Sequence, residues 1–223
     1  MIGNYNFNGT DLVLHSQDSE HTIRLIQQEM STYKAIFNVP FEKGDVIIDL
    51  GANLGIISIL LSKKYPHTKI YSYEASPINY SNFVRNIQAN GCTNITPFNL
   101  AVWSKSGEIV KIPTSPTNSG GSSIFYKEEF FKQYPVSDVA TISLNDVFAA
   151  NSIEHCKLLK VDIEGSEYEA FSTFEKSSYN RIRNLAIEYH QCAAASTFDL
   201  EAAIKNANIR VVCKFTAQGS KLA

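Results

Sequence analysis

Cysteine pairs, basic stripes and long apolar runs are all missing from this chain, and each absence removes a class of protein. The four cysteines, Cys92, Cys156, Cys192 and Cys213, form neither a C-x-x-C pair nor a ligand spacing. A disulfide framework and a structural zinc site are therefore not expected, and a reducing cytoplasmic compartment fits best. With 20 Lys+Arg against 22 Asp+Glu the formal net charge is -2. No Lys/Arg stripe offers the footprint of a nucleic-acid partner, so a small-molecule or saccharide partner is expected. No stretch approaches the roughly 18 apolar residues of a membrane span, and the first residues do not read as a secretory signal. Internal repeats are absent too. What is present is 223 residues, 44% hydrophobic and 19% charged, enough for one sizeable core.

The organisation is an alternation of strands and helices. Residues 1–40 read as a helical appendage packed on the main domain of residues 41–223. Ser19 is placed to cap a helix in which Ile23, Ile26, Met30, Tyr33 and Phe37 share one face. Pro40 and Gly44 end it. Strands are expected over 46–50, 69–74, 95–102, 157–163, 184–189 and 209–215, with a short extended piece over 107–112. A helix capped by Ser76 opens with Pro77 and ends at Asn90-Gly91. A second helix follows Gly165, where Ser166-Glu167-Tyr168-Glu169 matches a capping box, and a third spans about 198–207. Between them, residues 113–123 are a loop by composition, expected to close over the site. Repeated βα units imply an α/β fold with a mostly parallel, doubly wound sheet.

One segment carries the first chemical signal. Val46-Ile47-Ile48-Asp49-Leu50 reads as a buried strand that runs through Gly51-Ala52-Asn53-Leu54-Gly55 into an apolar helix. Such a turn lies at the carboxyl end of the sheet, where open α/β folds bind ligands. A dinucleotide site would show G-x-G-x-x-G, and here the middle glycine is missing, so a ligand without a pyrophosphate fits better. Glu74 follows Gly51 by 23 residues, near the ~20 expected of a carboxylate that accepts ribose hydroxyls. S-adenosylmethionine is such a nucleoside. Asp49 shapes the same pocket, either toward the ligand or by holding the glycine turn.

Asp49-Leu50-Gly51-Ala52-Asn53-Leu54-Gly55, Glu74-Ala75-Ser76-Pro77 and above all Lys160-Val161-Asp162-Ile163-Glu164-Gly165-Ser166-Glu167 give the chain its family look. It resembles the FkbM family of S-adenosylmethionine-dependent methyltransferases across about residues 45–190. Ala101-Val102 with Gly107, Gly120-Gly121-Ser122-Ser123, the stretch 139–147 and Glu188-Tyr189-His190 support the likeness. The resemblance implies a Rossmann-like class I methyltransferase fold and O-methylation of a hydroxyl on a sugar, glycan or secondary metabolite. Two departures stand out. Asn145 replaces a usual acidic residue, and little chain follows Phe215 for the antiparallel last strand of that fold.

The expected cofactor group is Asp49, Gly51, Ala52, Asn53, Gly55, Glu74, Ala75, Asn99, Ala101, Val102 and Asp162, the residues after the third strand by analogy with the fold. Trp103 is placed for the adenine or for the core. For catalysis, Lys160 and Asp162 alternate onto one face of the fourth strand, and Glu188 and His190 onto one face of the fifth. His190 is the first choice of base because its ordinary pKa lies nearest neutrality. Asp162 or Glu188 would orient it, and Glu164 is a further carboxylate. Asp162, Glu188 and His190 could also hold a divalent ion, although a metal-free site is preferred. Competing readings are an N-methyltransferase, without its Asn/Asp-Pro-Pro-Tyr signature, and a non-catalytic nucleoside-binding protein.

Overall fold

The central strand forms where the sequence is most apolar. In the computed structural model, which describes residues 2–16, 21–115, 128–190, 200–207 and 209–216, β3 (Val46–Leu50) is buried from Ile47 onward. Successive residues of a strand face opposite ways. Ile47 and Ile48 accordingly enter two different clusters, as do Leu158 and Leu159. The sheet is covered on both faces, which is why its strands are continuous apolar runs rather than alternating ones.

Six strands make up this sheet, all parallel: β11 (Arg210–Thr216), β10 (Asn184–Tyr189), β9 (Leu158–Val161), β3, β4 (Lys69–Tyr73) and β5 (Ile95–Phe98), in that order. β11 lies directly beside β10, with no antiparallel strand between them among the described residues. One face carries α1 (His21–Tyr33), α2 (Ile56–Lys64) and α3 (Pro77–Ala89). The other carries α4 (Leu144–Ala150), α5 (Glu167–Ser172) and α6 (Leu200–Asn206). The architecture is a Rossmann-like, doubly wound α/β fold.

Local chemistry sets the helix ends. Ser76 accepts the Asn79 amide as N-cap of α3, Pro77 opens the helix, and Gly91 follows the Asn90 C-cap at φ 66°. Seven successive residues of α2, Ile56 to Ser62, are buried. Burying each of its isoleucines and leucines stabilises the fold by about 1.5–3 kcal/mol. Ser166 caps nothing with its side chain. The expected capping box fails because Ser166 sits at φ -81°, ψ 1° rather than in the extended conformation of a capping residue, and the neighbouring Glu167 accepts the backbone amides of Ile163 and Gly165.

Three expectations need correction. The strand expected over 95–102 breaks at Asn99-Leu100, and β6 (Ala101–Trp103) leaves the main sheet. β6 joins β8 (Val136–Ser143), which also pairs antiparallel with β7 (Ile109–Pro113). This second sheet sits over the Ala75 segment through Ala101, Ile112 and Val139. The appendage is also more than helical. β1 (Ile2–Phe7) and β2 (Thr10–His15) form a hairpin around Asn8-Gly9, both at positive φ, the turn chemistry that two-residue hairpins favour. α1 stops at Tyr33, and Ile36–Asn38 is a 3-10 turn rather than its continuation.

The hairpin is docked by amides. Asn90 accepts the Val13 N–H (3.1 Å) and donates to the Val13 carbonyl (2.7 Å). One turn earlier, Asn86 does the same for His15 (2.6 and 3.2 Å) and donates to the Leu54 carbonyl. The side chains of α3 thus stand in for a neighbouring strand along the free edge of β2, satisfying groups that would otherwise invite a foreign strand. Phe7, Leu12, Leu14, Ile23, Met30 and Tyr33 share one core cluster with Ile47 and Leu54 of the sheet domain. Ser19, Phe198 and the loop portion 116–123 lie outside the described residues.

Candidate active site

The turn after β3 is held by its neighbours' backbones. Gly51 (φ 79°) faces the Asp162 carbonyl oxygen so closely that a Cβ would sit 1.7 Å from it. Gly55 (φ 80°), the N-cap of α2, abuts the Phe83 ring, where a Cβ would come within 1.9 Å. The Gly51 and Ala52 amides both donate to the Tyr73 carbonyl (2.9 and 3.0 Å). Asn53 adopts φ 54° at the tip.

Glu74, buried at the end of β4, accepts the Asn53 amide (2.7 Å) on one oxygen and the Ser76 amide (2.8 Å) on the other. Burial pushes its carboxyl up to about 7, against the pull of those two bonds. Asn99 donates to the carbonyls of Glu74 and Ala75 (both 2.9 Å), pinning the chain beside the pocket. Ala101 and Val102 are buried on β6 next to it. Asp49 does not reach the loop amides. It lies beneath the turn at 1% exposure, accepting the Ser58 hydroxyl (2.6 Å) and pairing with the Lys160 ammonium (3.1 Å).

Lys160 has a structural position as well. Its Nζ donates to the Gly51 carbonyl (2.9 Å) and faces both Asp49 and Asp162. Burial alone would lower its pKa, and the two carboxylates outweigh burial, so the ammonium is held charged. The lysine ties β9 to the glycine turn.

The second group gathers at the ends of β9 and β10. Asp162 accepts the Tyr33 hydroxyl on Oδ2 (2.9 Å). His190, 4% exposed, directs Nδ1 at Glu167 Oε1 (2.9 Å) and Nε2 at Glu164 (3.3 Å) and Glu188 (3.9 Å). Burial opposes a charged ring, yet the hydrogen bonds to Glu164 and Glu167 win and raise its pKa to about 11. Burial followed by Asp162 pushes the Glu188 carboxyl up to about 8. Glu164, at φ 52°, and Glu29 on α1 are raised by burial and by their acidic neighbours.

The expected residues therefore divide into two sets. Gly51, Ala52, Asn53, Gly55, Glu74, Ala75 and Asn99 come together at the carboxyl ends of β3 and β4, with Asp49 and Lys160 bracing the turn from below. Asp162, Glu164, Glu188 and His190 come together beside it. Both ring nitrogens of His190 are engaged, Nδ1 by Glu167 and Nε2 by Glu164, so the role of base expected of it would require the Nε2 contact to open. Sequence reasoning missed Tyr33, Glu29 and Glu167. Tyr33 had been placed on the packing face of its helix, and nothing in spacing alone separates a packing tyrosine from one whose hydroxyl reaches a carboxylate 129 residues away. Glu167 was absorbed into a capping box.

The residues fit a nucleoside bearing hydroxyls and an amino acid end. Asn53 Oδ1 and Asn82 Nδ2 are buried with no hydrogen-bond partner among the described residues, one an acceptor and one a donor. Unsatisfied groups of this kind cost about 1–3 kcal/mol each unless a water or a polar ligand meets them. Beyond the two amides and a side-chain hydrogen bond from Asn79, the Glu74 carboxylate keeps acceptor capacity for a ribose hydroxyl.

Comparison with known proteins agrees with this geometry. The methyltransferase FkbM domain model matches residues 49–210. The chain is 26% identical over 216 residues to methyltransferase sdnD of Sordaria araneosa, covering 81% of this chain and 82% of that one. It is 25% identical over 186 residues to the 31-O-demethyl-FK506 methyltransferase FkbM of Streptomyces tacrolimicus, covering 70% of each. Among solved structures it resembles the 16S rRNA N2 G1207 methyltransferase RsmC of T. thermophilus, at 8% identity and TM-score 0.47 over 93% of this chain and 45% of that one. No described helix is long and apolar enough to cross a membrane. With a domain match that spans the glycine turn and the buried Glu74, the chain belongs to the FkbM family of S-adenosylmethionine-dependent methyltransferases.

Proposed function

We propose that this enzyme is an O-methyltransferase acting on a hydroxyl of a small molecule, such as a sugar, glycan or secondary metabolite. The observation that carries the reading is the carboxylate group of Asp162, Glu164 and Glu188 around His190, set directly against the glycine turn through the Gly51 and Asp162 backbone contact. S-adenosylmethionine supplies, when bound, a methyl group already activated on a sulfonium. What remains for the chain is to hold an acceptor oxygen in line and to take its proton. The relative from Streptomyces tacrolimicus, whose name specifies a 31-O-methylation, supports oxygen as the acceptor atom.

In this reading Glu74 accepts the ribose hydroxyls, Asn53 and Asn82 satisfy the donor's polar groups, and Asn99 with Ala75, Ala101 and Val102 flanks the base. Glu164 takes the acceptor's proton. Of the carboxylates facing His190 its side chain is the most exposed, 32% against 19% for Glu188 and 0% for Glu167, so it is the best placed to pass the proton on to water. His190 holds that carboxylate in place. The segment 1–40 serves as the acceptor-side wall through Tyr33 and Glu29. Calorimetry should show one S-adenosylhomocysteine site per chain and no NAD site. Supplied with labelled donor and paired acceptors that differ only as alcohol and amine, the enzyme should label the alcohol; label on the amine alone would replace O- by N-methylation.

A further inference from the structure

We propose that Asp162, Glu188 and His190 form a site for one divalent cation of the manganese class, open toward an acceptor that presents two adjacent oxygens. The role given to the cation rests on the O-methylation reading; its binding does not.

The three side chains each offer one ligand atom, and these atoms lie within 4.8 Å of one another. In an octahedral shell with bonds of about 2.1 Å, neighbouring ligands stand about 3 Å apart and opposed ones about 4.2 Å. The widest pair therefore needs to close by at most about 0.6 Å to reach the opposed spacing.

Two of the three ligands also carry the outer partners that metal sites use to orient them. The His190 ring is fixed through Nδ1 by Glu167 (2.9 Å), which is fully buried and is itself held by the Ile163 and Gly165 amides. That leaves Nε2, directed at Glu188 and Glu164, to ligate the ion, whose charge takes the place of the ring's proton among these carboxylates. Asp162 is oriented by the Tyr33 hydroxyl on Oδ2, which leaves Oδ1 for the ion. The Glu188 carboxylate, only 19% exposed, has no closer partner among the described residues than His190 at 3.9 Å.

Charge points the same way. Glu29, Asp162, Glu164, Glu167 and Glu188 face one another, and the cations at hand are Lys160 and His190. Lys160 is committed to Asp49 and the Gly51 carbonyl. The group has a surplus of negative charge that a divalent ion would neutralise.

Two carboxylates and one imidazole, with no thiolate, suit manganese, the nitrogen ligand favouring it over magnesium. Three protein ligands leave half of an octahedron open. Two adjacent acceptor oxygens and a water would fill it, which selects vicinal diols, catechols and hydroxy ketones over isolated alcohols.

The test uses the full chain, stripped with EDTA, desalted and titrated with MnCl2 while the six-line resonance of free Mn2+ is followed. One ion per chain is expected, with 14N modulation from a coordinated imidazole. Asp162→Asn and Glu188→Gln should weaken binding at least about tenfold, and Glu167→Gln by about tenfold. Asp138→Asn, whose partner is Lys111 on the second sheet, should not change it. Circular dichroism checks that each variant is folded. No bound manganese in the wild-type protein, or bound manganese without nitrogen modulation, overturns the site whatever the variants do. Methyl transfer at full rate in EDTA overturns the cation's role and leaves O-methylation standing, whereas failure to bind S-adenosylhomocysteine would overturn the methyltransferase reading and leave the ion.

Discussion

The donor side and the acceptor side of this site are built on opposite principles. Around the glycine turn, backbone satisfies backbone: the Gly51 and Ala52 amides go to Tyr73, Glu74 takes the Asn53 and Ser76 amides, and Lys160 closes on the Gly51 carbonyl. Across the Asp162 peptide, charge is gathered and left in surplus. The contrast teaches that the first half is preformed and the second polarised; in the function proposed above, the first would receive the donor and the second act on an acceptor oxygen. The Gly51 contact with the Asp162 carbonyl is the seam between them.

Breaking the seam should have the largest effect. In Gly51→Ala the methyl would meet a backbone carbonyl at 1.7 Å, and the residue would stay at φ 79°. The positive φ alone costs about 1–2 kcal/mol, and neither backbone can yield without moving β3 or β9. Urea denaturation should show a loss well beyond about 2 kcal/mol, with donor and acceptor functions lost together. Gly55→Ala should cost less, since the atom it meets belongs to the Phe83 side chain. Equal losses for the two would mean that the seam has no special rigidity.

The next variant should separate the halves. Glu164→Gln is expected to lower kcat by about 10²-fold or more, the scale of a lost proton acceptor. S-adenosylhomocysteine affinity should stay within a few-fold, because its contact with His190 lies on the β10 side of the site. Parallel loss of kcat and cofactor affinity would show that the two sides are one unit.

Much of the donor half was legible because it is contiguous. Asp49 to Gly55 and Glu74 sit in one βα unit, and strand period, glycine turn and spacing each leave a mark on a single stretch. The acceptor half is assembled from α1, the β9 end and the β10 end. The alternation of Lys160 with Asp162 and of Glu188 with His190 placed those four together, but sequence does not encode which partner wins. Lys160 went to the glycine turn, and His190 went to Glu167, a residue whose spacing fits a cap equally well. The hairpin was hidden for a different reason. Asn8-Gly9 was a usable turn signal, whereas its docking depends on Asn86 and Asn90, and amides on a helix face normally read as solvated.

That docking is testable by itself. Asn86 serves both His15 backbone groups and the Leu54 carbonyl. Asn86→Ala leaves these groups without their partner and should cost about 1–3 kcal/mol. Amide exchange should accelerate along β2 before it does along β3, since the hairpin would open locally while the sheet holds. Uniform acceleration would mean that the N-terminal segment and the sheet domain unfold as one. Tyr33→Phe removes only the hydroxyl on Asp162 and should cost about 1 kcal/mol, with kcat falling while cofactor affinity is kept.

The subtlest contrast is one of pH, and it turns on Glu74. Its folded pKa of about 7 lies above the ordinary carboxyl value of 4.5 because burial opposes the charge. A raised pKa means the native state holds the proton more tightly. Glu74's contribution to stability is therefore complete below about pH 4.5 and is lost as pH rises through about 7, a decline of about 3 kcal/mol in the cofactor-free protein. Ligand binding has the opposite sign. Ribose hydroxyls donate to the ionised carboxylate, so S-adenosylhomocysteine should bind about tenfold more tightly at pH 8 than at pH 6, following the ionised fraction. In Glu74→Gln binding should be weak and flat across that range. A wild-type affinity that does not change would mean that the two amide bonds already hold Glu74 ionised, leaving the donor side as indifferent to pH as its backbone-built turn.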